Sequence, residues 1–125
     1  MNIYKTATFN KWQKKSSIGD SSLIKAINEI EAGLVDANLG GGVFKKRVAR
    51  QGFGKSGSFR TILASNYNGL WVFILGFAKN ERDNIDNQEL LTIQEYAKFL
   101  MSLAKLQIDK LIENKELYEV KNETK

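Results

Sequence analysis

Between residues 43 and 78, three runs rich in β-branched and aromatic residues follow one another with only short breaks between them. They read VFKKRVAR at 43–50, SFRTILAS at 58–65 and LWVFILGFA at 70–78. Asn68-Gly69, just before the third run, is a strong hairpin signal because both residues tolerate the positive φ angles of a tight turn. Three consecutive strands with short connections pair as neighbours, so this stretch predicts an antiparallel meander. The glycines at 40–42 read as the end of the loop that leads into it.

Helical patterns flank the meander. A strand near 3–8 leads into a short helix around Phe9–Lys15. Asp20 or Ser21 then caps a longer helix, in which Leu23, Ile24, Ile27 and Ile30 recur at helical spacing and Gly33 follows the last turn. Beyond the meander, Asp86 and Glu89 form a capping-box pair, with Ile85 and Leu90 as its hydrophobic staple. Leu90, Ile93, Ala97, Leu100, Met101 and Ala104 mark one apolar face. A further helix is expected over Gln107–Asn114, and LYEV at 117–120 reads as a terminal strand or docked tail.

This order predicts an α+β fold, with N-terminal helices packed on a twisted antiparallel sheet followed by a C-terminal helix. One sheet face is expected against the helices. That leaves the other free to be open, and the basic residues lie on the strands and turns of this same sheet.

At 125 residues the chain is sized for one domain that buries roughly two-thirds of its unfolded surface. No apolar run nears the ~20 residues of a membrane span, and the N-terminus lacks a signal-peptide core. The expected location is the cytoplasm, with no membrane partner. The chain has neither Cys nor His. That excludes disulfides, Cys/His zinc sites, cysteine nucleophiles and Ser-His-Asp relays.

Charge is distributed unevenly. Residues 1–80 hold 12 Lys/Arg against 4 Asp/Glu, and residues 81–125 hold 7 against 10. No carboxylate occurs between Asp36 and Glu81, yet Lys45, Lys46, Arg47, Arg50, Lys55, Arg60 and Lys79 all do. Such a run of cations favours a polyanionic partner.

ARQGFGKS at 49–56 matches a common phosphate-loop pattern, but that pattern needs a helix directly after its lysine. Here Ser56-Gly57-Ser58 is followed by a β alternation, so the glycines of this segment fit a turn between strands better. Arg60, set within a strand, has the planar guanidinium fork of an anion clamp. Lys79 is expected on the face of Trp71, Phe73 and Phe77. Glu81, Asp83 and Asp86 do not make a convincing metal site, because Asp86 caps a helix and acids near a helix start favour its dipole. No metal or other cofactor is expected.

The segment KKRVARQGFGKSGSFRTILAS…FILGFAKNERDNID resembles the RelE/HigB family of bacterial type II toxin–antitoxin toxins, within the RelE/ParE superfamily. The resemblance runs over about residues 2–105, taken as the toxin domain. Residues 106–125 extend it as a short helix and tail expected to pack on the same domain.

The resemblance implies a RelE-like fold and a ribosome-dependent mRNA endonuclease (an mRNA interferase) that inhibits translation. Its substrate is mRNA in the ribosomal A site, cut without a metal by 2′-OH attack on the adjacent phosphate. Its partner is a cognate helix-turn-helix antitoxin, in a toxin–antitoxin hetero-oligomer. By position, Arg60 is the strand arginine that stabilises the transition state, and Lys55 and Lys79 are candidate bases. A lysine base needs a depressed pKa, which crowding by other cations would provide. Lys45, Lys46, Arg47, Arg50 and Arg82 fall at RNA-contacting positions. Some relatives place an aromatic or histidine acid near the C-terminus; Tyr96 and Tyr118 are the candidates here, neither stands in an alignable motif, and the general acid is left unassigned.

Two other readings fit the same sequence. One is a ParE-like toxin that binds and inhibits gyrase, and the other is a catalytically inactive basic RNA-binding relative.

Overall fold

The computed structural model describes residues 2–50, 54–66, 68–82 and 84–121, and the side chains of residues 50 and 54–57 lie outside the description. In chain order the elements are β1 (Asn2–Thr6), α1 (Ala7–Ser16), α2 (Asp20–Glu31), β2 (Ala37–Gly40), β3 (Val43–Arg50), β4 (Gly54–Ser65), β5 (Leu70–Ala78), α3 (Asn87–Met101), α4 (Lys105–Glu113) and β6 (Leu117–Glu119). The fold is α+β, with one six-stranded sheet ordered β2-β3-β4-β5-β1-β6.

β3, β4 and β5 pair antiparallel in chain order. The sheet is nonetheless mixed rather than antiparallel throughout, because β1 lies parallel to β5 and antiparallel to β6. A parallel partner distant in sequence leaves no hairpin signal, so local patterning could not reveal it. The glycines at 40–42, expected to end a loop, instead turn β2 into β3, with φ values of 86°, 63° and 79°.

The helix ends follow side-chain chemistry. Thr6 stops β1 and starts α1, its hydroxyl accepting the Phe9 N–H at 3.1 Å. Gly19, rather than Asp20 or Ser21, is the α2 N-cap. The Asp20 carboxylate is taken up elsewhere: it accepts Lys5 Nζ at 2.8 Å, Gln13 Nε2 at 2.9 Å and the Lys121 N–H at 3.0 Å. Both halves of the Asp86–Glu89 capping box form at the start of α3.

Helices cover both sheet faces, so neither is left open as the element order would have allowed. Phe9, Leu23 and Ile27 of α1 and α2 bury Phe44, Leu63 and Phe73 on one side. Ile93, Ala97 and Leu100 of α3, with Ile108 of α4, bury Val43, Ile62 and Val72 on the other. Each buried Val, Leu, Ile or Phe among them contributes roughly 1.5–3 kcal/mol.

One irregularity decides which residues share a face. Ile62 pairs with Leu75 but Leu63 pairs with Phe73, so β5 carries one extra residue at this level. An extra residue reverses the in/out alternation beyond it. Phe77 therefore lies on the α3 side, opposite to Trp71 and Phe73, and not with them as the sequence suggests. Gly76 moves to the α1 side, where the Trp12 ring covers it so closely that a Cβ would sit 2.3 Å from a ring carbon.

Candidate functional site

On β3, strict alternation separates neighbouring cations. Phe44 and Val48 face α2, and Lys46 lies between them on that same side. Its Nζ is 2.8 Å from Glu29 of α2, and its side chain is 8% exposed. Lys46 is thus apart from the other expected RNA contacts, held in a structural ion pair. Lys45 and Arg47 take the opposite face, the α3 side.

Arg47 stands directly opposite Arg60 on β4, and Arg60 directly opposite Phe77 on β5. The three form one row across neighbouring strands, spaced about 4.8 Å apart. Lys45, opposite Ile62, belongs to the next row on the same face. Here the sheet emerges from under the helices: Lys45 and Arg60 are half-buried and Arg47 is exposed. Like charges directly opposite each other destabilise a sheet.

The flanking arginines are each tied down. Asp36, just before β2, uses both carboxylate oxygens on Arg47: Oδ2 accepts its backbone N–H and Oδ1 its Nε–H at 3.2 Å. Arg82 donates Nη1 to both oxygens of Glu89, at 2.9 and 3.0 Å. Its guanidinium carbon lies 4.9 Å from the Phe77 ring centroid, which brings it over the residue beside Arg60. Arg60 has no ion-pair or hydrogen-bond partner among the described residues. The arrangement offers one free guanidinium between two oriented ones.

Lys79 is exposed in the turn after β5. The backbone of Lys55 belongs to β4, which starts at Gly54, so this position is in a strand rather than in a loop. A strand after Lys55 also removes the helix that a phosphate loop requires. The Lys55 and Arg50 side chains and residues 51–53, where the sequence predicts a turn, lie outside the described residues.

The candidate acids are elsewhere. Tyr118 sits on β6, at the far edge of the sheet from β3. Tyr96 lines a cavity of about 600 Å³ with Thr6, Ile74, Ile93 and Glu116; among the described residues its lining contains Asp86 and Glu89 but no Lys or Arg. Burial, followed by the Glu116 carboxylate, raises the Tyr96 pKa. An acidic rim of this kind does not suit a polyanion. Among the described residues, no group of three or more carboxylates is placed to hold a metal ion, and no helix is long and apolar enough to cross a membrane.

Sequence reasoning missed Asp36, Glu89 and Phe77 as members of this cluster. In the sequence Glu89 reads as a helix-cap residue, a role it also fills. A hairpin centred on the 40–42 glycines would have brought Asp36 within a residue of Arg47's level.

Comparison with family models matches residues 1–120 to the RelE toxin of the RelE/RelB toxin–antitoxin system. The chain belongs to the RelE toxin family. Comparison with curated proteins finds no match. As a RelE-family protein it is a toxin of the toxin–antitoxin type, with an antitoxin as its partner. The family match continues through α4 and β6, whose Ile108 and Leu117 are part of the core under α3.

Proposed function

We propose that this protein is a ribosome-dependent mRNA endonuclease that arrests translation in the cytoplasm until a helix-turn-helix antitoxin sequesters it in a hetero-oligomer. The observation that carries this reading is Arg60, which has no partner among the described residues and lies in register between Arg47 and the Phe77–Arg82 pair. A sheet gains nothing in stability from two arginines directly opposite each other, but a phosphodiester gains a clamp.

In this mechanism the 2′-oxygen attacks the adjacent phosphorus, its proton passing to a base, and the 5′-oxygen departs with a proton. A 2′,3′-cyclic phosphate and a 5′-hydroxyl end result. Arg60, assisted by Arg47 and Arg82, stabilises the charge that builds on the phosphorane oxygens. Lys55 and Lys79 are the proposed bases, and Lys45 and Arg50 complete the RNA-contacting set. Positioning of the mRNA by the ribosome contributes much of the remaining acceleration. The segment after residue 105 is read as a packed extension of the same domain.

Controlled induction with mapping of mRNA 5′ ends tests the proposal. Codon-aligned breaks that vanish on co-expression of the antitoxin support it. Growth arrest with intact mRNA would sink it and point to a gyrase-type target, and neither arrest nor breaks would point to an inactive RNA-binding relative.

A further inference from the structure

Two carboxylates lie beside the arginine row, where they oppose the approach of a phosphate. Simple anion capture would work better without them, because a carboxylate in contact cancels much of a guanidinium's field. Both are anchored twice over, however. Asp36 grips the backbone N–H and the side chain of the same arginine. Glu89 accepts the Asp86 N–H at 3.2 Å while holding Arg82, so the α3 cap fixes the carboxylate that fixes the arginine. A loose counter-charge would need neither arrangement.

The atoms used on each arginine point the same way. Asp36 takes Arg47 at Nε, leaving both Nη groups without a partner among the described residues. Glu89 takes Arg82 at Nη1 only, and the Phe77 ring supports the guanidinium. A free arginine side chain carries about 2 kcal/mol of rotamer entropy, which these grips remove before any RNA arrives.

We infer that Asp36 and Glu89 are positioning residues, which hold Arg47 and Arg82 on either side of Arg60 in the geometry that the transition state requires. This inference rests on the nuclease reading above. It gives the two acids a role opposite to that of the cations: they weaken ground-state RNA binding and increase the rate of cleavage.

Asp36→Asn and Glu89→Gln test it, since both keep the side-chain shape while turning one of the two accepting oxygens into an NH2 donor, and glutamine still completes a capping box. Three quantities are measured for each variant and wild type: melting temperature, affinity for an RNA made uncleavable by 2′-deoxy substitution, and single-turnover cleavage on mRNA-programmed ribosomes. The expected result is unchanged melting, equal or up to about threefold tighter binding, and cleavage slower by about tenfold or more. Cleavage as fast as wild type, or faster, overturns the inference and leaves the acids as mere counter-charges. Binding and cleavage that fall together with the melting temperature overturn it too, in favour of a structural role. A wild-type protein that leaves mRNA uncut fails the nuclease reading itself, and the inference falls with it.

Discussion

Lys46 and Arg47 are adjacent in the chain and have opposite fates. The Lys46 side chain is 8% exposed and paired with Glu29 beneath α2, whereas that of Arg47 is 46% exposed on the other face beside Arg60. The same contrast holds between the two sides of the sheet. On the α1/α2 side, Lys5 is buried, Asp20 is half-buried, and hydrogen bonds tie them to each other and to Gln13 beside the core. At the emerging end of the α3 side, Arg47 is exposed, and Lys45, Arg60 and Arg82 are half-buried. Cation density along the chain does not distinguish the two. Strand parity does, because each residue step turns a side chain to the opposite face.

The largest effect that would test this contrast is expected at Arg60. Arg60→Ala should slow cleavage by about 10²–10³-fold, while its melting temperature stays level or rises as the repulsion with Arg47 disappears. A variant that still cleaves and arrests growth would remove the functional side of the comparison altogether.

Lys46→Ala should do the reverse. It should cost about 2 kcal/mol of stability, less than a fully buried pair because Glu29 is 36% exposed, yet leave RNA affinity within about twofold. If affinity drops sharply in a well-folded Lys46→Ala protein, the two faces are not functionally distinct.

Arg47→Ala is expected to be milder, with RNA affinity weaker by about tenfold and the salt dependence shallower by about 0.7 in log–log slope. Denaturant titration should place its stability close to that of wild type.

The smallest effect concerns acid stability. Burial alone would raise the Asp20 pKa, but hydrogen bonds from Lys5, Gln13 and the Lys121 N–H outweigh it and hold the carboxyl below its ordinary value. A depressed folded pKa stabilises the protein above the unfolded value of about 3.9, and that contribution fades as pH falls through the folded value. Asp20→Asn should therefore lower the melting temperature at pH 7 and flatten its decline below about pH 4. An equally steep acid decline in the variant would show that this buried network is not a source of acid sensitivity.

Much of the fold was legible because its signals are local. The capping box at Asp86 and Glu89, the hairpin dipeptide Asn68-Gly69 and the apolar face of α3 each declare themselves within a few residues. Two features near the site were not. β2 has only four residues and a half-exposed pattern, so the hairpin that carries Asp36 to Arg47 gave too short a signal. The extra residue in β5 leaves no mark in an unbroken apolar run, and without it Phe77 would not stand beside Arg60.

By itself, then, the sequence determined the types of the main helices and of the three central strands, the run of cations without internal acids, and the exclusion of every cysteine- and histidine-based chemistry. Those properties depend on residue identity and on spacings of a few positions. Only the tertiary structure decided that β1 enters the sheet parallel to β5, that Lys46 is buried while Arg47 is not, and that Asp36 and Glu89 restrain the arginines flanking Arg60. Those are matters of register and of contacts between distant segments, and a single residue of slip in a strand is enough to exchange what is buried for what acts.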